Sequence, residues 1–276
     1  MKKITRDEFM QALREHCPTL HCESYTNYRD WYFGEEVLDA EFYSADGCAV
    51  VYSAYEYEGK YHITCNIHEV SDGCGFAEAC RKCMAMADAD RAAHENYICV
   101  CTLYLIHSGE LSDRLNEFQG FRKFERMGES FEPDPHVCEL TRDNADEIRE
   151  ICDPAVLEAD TWFGKTEAHS FYHWNFEWGD SQGIRFLGYR DDNGKLLGIA
   201  TWSAEAELNI GWLHDIFVSP AGRGRGIGKA LVRTAVGKLP DRHWNYQAAR
   251  DNAPSIALAK SCGFTFCGAN LCIFCK

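Results

Sequence analysis

One pattern occurs twice in this chain, and the repeat limits its fold more than any other feature. The stretch Ile4-Thr5-Arg6-Asp7 through Cys17 is echoed by Leu140-Thr141-Arg142-Asp143 through Cys152. Both read as the end of a strand, an Asp cap and a first helix. Further on, Leu115…Gly120-Phe121 is echoed by Leu258…Gly263-Phe264. Between these markers the first half offers strands around 38–43, 49–57 and 61–70, a helix near 75–92, a strand at 97–105 and a helix at 111–119. The second half offers strands around 184–190, 195–203 and 208–218, a helix at 226–239, a strand at 243–249 and a helix at 253–261. Asp46-Gly47, Glu58-Gly59 and Asn193-Gly194 supply hairpin turns. The acidic, stiff segment Glu132-Pro133-Asp134-Pro135 separates the halves. The expectation is an α/β protein of two modules, residues 1–132 and 136–276.

The halves differ where the third strand feeds its helix. In the second, the apolar run from Trp212 to Val218 and a Ser219-Pro220 break lead into Arg223-Gly224-Arg225-Gly226-Ile227-Gly228-Lys229-Ala230. Glycines let successive backbone N–H groups converge, a helix N-terminus adds partial positive charge, and the arginines and lysine add full charges. That combination suits phosphate. A Walker loop is excluded, because Arg223 stands at its first glycine and Ala230 at its hydroxyl. The dinucleotide fingerprint also fails, since its last glycine would fall on Ile227 or Lys229. What fits is (Arg/Gln)-x-x-Gly-x-(Gly/Ala), from Arg223 through Gly226 to Gly228. The stretch resembles the pyrophosphate loop of the GNAT N-acetyltransferase superfamily. The run Asn252-Ala253-Pro254-Ser255 through Leu258, Lys260 and Gly263-Phe264 is similar to that family's later helix and turn. The resemblance implies, for each module, a mixed and mostly antiparallel sheet flanked by helices. In the first half, Val70-Ser71-Asp72-Gly73-Cys74-Gly75-Phe76 keeps turn glycines but lacks five residues, among them the counterparts of Arg223 and Arg225. That module is expected to be degenerate: it would bind coenzyme A poorly and support its neighbour.

Composition narrows the remaining classes. Of 276 residues, 46% are hydrophobic, enough for substantial cores. The first residues carry no apolar stretch of signal-peptide type and no run is long enough to span a membrane, so a cytoplasmic location is expected. A net charge of −15 argues against nucleic acid as partner and suits a cationic substrate. The 15 cysteines are scattered and odd in number, which reads as reduced thiols. Cys80-x-x-Cys83 falls on the apolar stripe of a helix and Cys272-x-x-Cys275 in a short terminal strand, so core filling is expected and no metal. The oligomeric state stays open.

The resemblance also implies where chemistry sits. Acetyl-coenzyme A would lie between the strand ending at Val218 and the strand at 243–249. Backbone groups of Ile216, Phe217 and Val218 would meet its pantetheine arm, and Arg223, Gly224, Arg225, Gly226, Ile227, Gly228 and Lys229 its pyrophosphate. Asn252 and Ser255 would form the far wall. Acyl transfer to an amine needs a base to neutralise the ammonium. His214 and Asp215 are the candidates, pointing to opposite strand faces unless a bulge intervenes, with Glu205 and Glu207 in reserve. The family's usual acid, a tyrosine, is replaced by Ala259, which leaves the acid unassigned. The acceptor pocket would draw on the aromatic and acidic stretch 153–182, with Glu158, Asp160 and Trp162 as its candidates. The expected function is direct N-acetylation of a small-molecule or peptide amine. A catalytically weak acyl-coenzyme-A sensor or scaffold is the alternative.

Overall fold

A computed structural model describes residues 1–16, 40–45, 47–57, 59–71, 75–105, 119–158 and 183–275. The chain divides into two compact units. The first contains residues 1–123, 248–251 and 266–276, the second 124–247 and 252–265.

In chain order, unit 1 holds β1 (Lys2–Ile4), α1 (Arg6–Glu15), β2 (Ala40–Ala45), β3 (Cys48–Tyr57), β4 (Lys60–Glu69), α2 (Phe76–Ala93) and β5 (Tyr97–Leu105). Strand β6 (Gln119–Met127) passes into unit 2 at Phe124. Unit 2 continues with β7 (Val137–Leu140), α3 (Ala145–Glu158), β8 (Arg185–Arg190), β9 (Leu196–Glu205), β10 (Ile210–Val218), α4 (Ile227–Gly237), β11 (His243–Ala249) and α5 (Ala253–Ser261). Strand β12 (Thr265–Cys275) belongs to unit 1 from Phe266 onward. At 11 residues it is longer than the short terminal strand the sequence suggests. Strand β6 contains the first Gly-Phe echo and β12 follows the second, so the last strand of each repeat is shared with, or lies in, the unit of the other. The helix expected at 111–119 falls almost wholly outside the described residues, and Gln119 itself begins β6.

The repeat's helix starts are capped by threonine rather than by the expected Asp. The Thr5 hydroxyl accepts the Glu8 N–H at 3.2 Å and the Glu8 carboxylate returns to the Thr5 N–H at 2.7 Å. Thr141 and Asn144 form the same reciprocal pair ahead of α3. Threonine precedes the first turn, where a side-chain oxygen reaches the unpaired N–H groups; Asp7 and Asp143 lie inside that turn and act on the helix dipole.

In unit 1 the strands run in the order β1-β2-β3-β4-β5-β12. All its neighbours are antiparallel except β4 and β5. The core joins Ile63, Cys65 and Ile67 of β4 to Ala79, Cys83 and Ala87 of α2. Cys80 is only partly buried against that core. Alternation puts these β4 side chains under the helix and His62, Thr64 and Asn66 on the other face.

In unit 2 the order is β6-β11-β10-β9-β8-β7. Strands β7 to β10 are antiparallel, and β11 joins β10 in parallel. Helix α3 packs Ile148 and Cys152 on Leu140, Phe186 and Ile199. The opposite face belongs to α4: a Cβ placed on Gly198, the neighbour of Ile199, would lie 2.8 Å from Ile227. Ile227, Leu231, Val232, Ala235 and Val236 are buried there, each contributing roughly 1–3 kcal/mol of hydrophobic stabilisation. Among the described residues no helix is long and apolar enough to cross a membrane.

Candidate active site

The site begins where two parallel strands part. Ile210 to Leu213 of β10 pair with His243 to Tyr246 of β11, and the pairing stops there. On its other edge β10 stays bonded to β9, with Ile216, Phe217 and Val218 facing Ala200, Ile199 and Gly198. The ladder with β11 does not extend along residues 216–218, which leaves room beside this stretch of β10 for an extended ligand.

The parting coincides with a β-bulge. Leu213 pairs with Trp202 and Asp215 with Thr201, so His214 is the extra residue. A bulge bends its strand and increases the twist. It also changes where side chains point. Directly paired residues share a sheet face, so Trp212 opposite Ser203 and Asp215 opposite Thr201 lie on the same face. His214 joins them: its Nε2 is 2.8 Å from Ser203 Oγ and its ring lies 4.4 Å from that of Trp212. The condition under which both His214 and Asp215 can face one way is thus met.

Asp215 keeps a little surface, yet protein atoms crowd its carboxylate. Burial pushes it up to about 6, and a hydrogen bond donated by the Thr201 hydroxyl at 3.3 Å pulls in the opposite direction. A carboxyl near 6 changes protonation within the range in which a general base is useful. Glu207 donates its N–H to the Glu205 carboxylate at 3.0 Å; this pair sits at the turn beyond β9 rather than at the bulge.

Beside this stretch of β10 lies a hollow of about 690 Å³. Ile216, Phe217 and Val218 form one wall, and Arg223, Gly224, Gly226, Ile227, Gly228 and Lys229 form its floor. Asn252, Ser255 and Leu258 close the far side. Gly224 and Gly226 have φ of +75° and +81°, the left-handed region that favours glycine. Gly226 is the N-cap of α4, and Ala230 donates the first helical bond back to it. The N–H groups of Ile227, Gly228 and Lys229 consequently have no acceptor within the helix. Arg223 is anchored by its Nε on the Val218 carbonyl at 3.3 Å. Gly228 lets α5 approach, since a Cβ there would stand 3.1 Å from Leu258. Arg225 lines an adjoining hollow of about 650 Å³ with Phe131, Lys229 and Arg233. The Arg233 guanidinium sits 4.6 Å above the Phe131 ring.

Asn252 has a structural duty as well as a place in the wall: its Oδ1 accepts the Ser255 N–H at 3.0 Å as the N-cap of α5. The motifs in the sequence do not point to Tyr246. It lines the hollow, only 3% exposed, and its hydroxyl is 2.8 Å from Ser255 Oγ. Burial pushes it up to about 12, so at neutral pH it is a protonated donor. The available signal was its position on β11, whose pairing with β10 ends at this residue. Glu158 is the last residue of α3 and its side chain lies outside the described residues, as do Asp160, Trp162 and the aromatic stretch after them.

The geometry can therefore hold an extended chain along a strand edge and a phosphate group at a helix start, with a titratable carboxylate on the same strand. The sequence model of the Acetyltransferase (GNAT) family matches residues 146–264, which contain all of these features. This segment, less than half of the chain, is similar to GNAT acetyltransferases. Streptothricin acetyltransferase from Streptomyces lavendulae is 34% identical over 85 residues, 30% of this chain and 45% of that protein. Mycothiol acetyltransferase from Mycolicibacterium vanbaalenii is 34% identical over 79 residues, 29% of this chain and 26% of that protein. The chain spans less than half the length of these curated relatives. Among solved structures, a GCN5-related N-acetyltransferase from Sphaerobacter thermophilus superposes over 98% of this chain and 93% of its own, with a TM-score of 0.56 at 14% identity. A tandem GNAT protein from the clavulanic acid biosynthesis pathway covers 99% of this chain and 97% of its own, with a TM-score of 0.52 at 12% identity. These two likenesses concern the fold.

Proposed function

We propose that residues 136–276 bind acetyl-coenzyme A and transfer its acetyl group directly to a primary amine of a small molecule or peptide. The observation that carries this reading is the single hollow that Ile216–Val218, beyond the end of the β11 ladder, share with the first three N–H groups of α4. When bound, acetyl-coenzyme A supplies an activated thioester. The chain's own residues do the rest. Main-chain groups of Ile216, Phe217 and Val218 align the pantetheine arm, and one of their N–H groups polarises the reacting carbonyl. The glycine loop with Arg223 and Lys229 holds the pyrophosphate, and Arg225 with Arg233 and Phe131 receives the adenosine end. Asp215 takes the proton of the incoming ammonium, with His214 beside it on the same face. Tyr246, protonated and lining the same hollow, would be the proton donor to the departing thiolate where Ala259 leaves none. Two curated relatives carry acetyltransferase names, which supports the reaction class.

The test is release of free thiol from acetyl-coenzyme A in the presence of spermidine, lysine, kanamycin and a short peptide with a free N-terminus. Turnover with at least one amine, first order in enzyme, is the expected result. Calorimetric binding of coenzyme A with no thiol release from any amine would overturn the enzymatic reading, and no binding at all would overturn the site.

A further inference from the structure

We infer that Thr201 is a positioning residue for acyl transfer: its buried hydroxyl clasps Asp215 at both backbone and side chain, fixing the bulge and the carboxylate together. The inference rests on the proposed role of Asp215 as the base. Thr201 is wholly buried on β9, directly opposite Asp215. Its Oγ1 accepts the Asp215 N–H at 3.1 Å and donates to Asp215 Oδ2 at 3.3 Å. A bulge leaves main-chain groups without regular ladder partners, and here a side chain supplies one. A hydroxyl has one proton and two lone pairs, so a single group can perform both tasks. The β-branched side chain has little χ1 freedom, which holds the clasp in one orientation.

The chemical consequence concerns the proton. Donation from Thr201 favours the ionised carboxylate against the effect of burial. Other titratable groups on the packed strands are His214 beside Asp215, Glu205 at the end of β9, Arg185, Tyr189 and Arg190 on β8, and His243 and Tyr246 on β11, the Tyr246 hydroxyl being on Ser255. On α3 the described charges are Asp146, Glu147, Arg149 and Glu150, with Glu147 bonded to Arg190; α4 contributes Lys229 and Arg233. The influences resolved at Asp215 are burial and Thr201, and no neighbouring charge is among them. Removing the hydroxyl therefore raises the pH at which Asp215 loses its proton.

The deciding experiment titrates the Asp215 carboxyl carbon by 13C NMR in protein labelled at aspartate, assigned by its disappearance in Asp215→Asn. No acceptor is needed. Thr201→Val, isosteric but without a donor, is expected to move the midpoint upward by about 0.5–1 pH unit. Thr201→Ser is expected to return it. If Thr201→Val fails to fold, Thr201→Cys, a weaker donor, is expected to move it in the same direction. An unmoved midpoint in the variant that folds overturns the inference. The acid limb of kcat/KM, measured with acetyl-coenzyme A and the fastest amine of the panel, then separates the two claims. A limb that shifts with the NMR midpoint supports both. A midpoint that moves while the limb stays shows that Thr201 holds Asp215 but that Asp215 is not the base.

Discussion

The β4–β5 seam of unit 1 and the β10–β11 seam of unit 2 occupy the same place in the repeat, yet one is closed and the other open. Tyr61 to His68 pair with Tyr97 to Tyr104 in an unbroken parallel ladder. In unit 2 the ladder ends after Leu213 and Tyr246. The antiparallel partners differ in step: β3 and β4 pair from Cys48 to Tyr57 without a shift, whereas β9 and β10 slip at His214. The helix starts differ too. Gly226 caps α4 at φ +81°, but Gly75 caps α2 at φ −79°. Of the two turn glycines the first repeat keeps, Gly75 is the cap of α2 and Gly73 lies outside the described residues. One extra residue in a strand thus accompanies the difference between a parallel ladder that runs its full length and one that stops early.

Four experiments probe why the two seams differ. The largest effect belongs to the cradle. Gly226→Glu sets a carboxylate against the phosphate position and forces a side chain into a left-handed backbone, so coenzyme A affinity should fall by more than about 100-fold. Gly226→Asn, which tolerates that backbone, is the calorimetric control and should lose far less.

Next comes the carboxylate. Asp215→Asn should lower kcat by about 100-fold or more while changing coenzyme affinity less than about threefold, consistent with loss of a general base. Stopped assays and calorimetry on one preparation check the split. Equal rates in variant and parent would move the base elsewhere, with His214 the first alternative.

A smaller effect is on stability. The Asp215 carboxyl lies near 6 when folded and at an ordinary 3.8 when unfolded. The folded state therefore holds this proton more tightly, and stability is lost as pH rises from about 4 through 6. Asp215→Asn removes that loss. The variant should melt higher than the parent at pH 8, by an amount worth on the order of 1–3 kcal/mol, and the difference should vanish below about pH 4. A constant difference across pH would show that the carboxyl is not held near 6.

The smallest expected change is none. Adding a cation to unit 1, as Ser71→Arg, should leave coenzyme binding at one equivalent per chain, because the β4 edge is already bonded to β5. A second equivalent would mean that the arginines alone distinguish the two units.

Much of this was legible in the amino-acid order. Alternation and turn glycines located β3, β4, β9, β10 and β11 within a few residues, because those patterns are local and the hydrophobic faces must be buried. The glycine and arginine spacing drew attention to residues 223–229, since positive φ and clustered charge are properties of particular residue types at particular positions. The tertiary structure alone decided which way His214 and Asp215 point, because face depends on register with β9 and one inserted residue reverses it. It alone brought Tyr246 to Ser255 and Thr201 to Asp215, contacts between residues 9 and 14 positions apart on different elements. It also decided which unit each last strand joins, since an apolar strand satisfies any matching edge and its own sequence does not say whose.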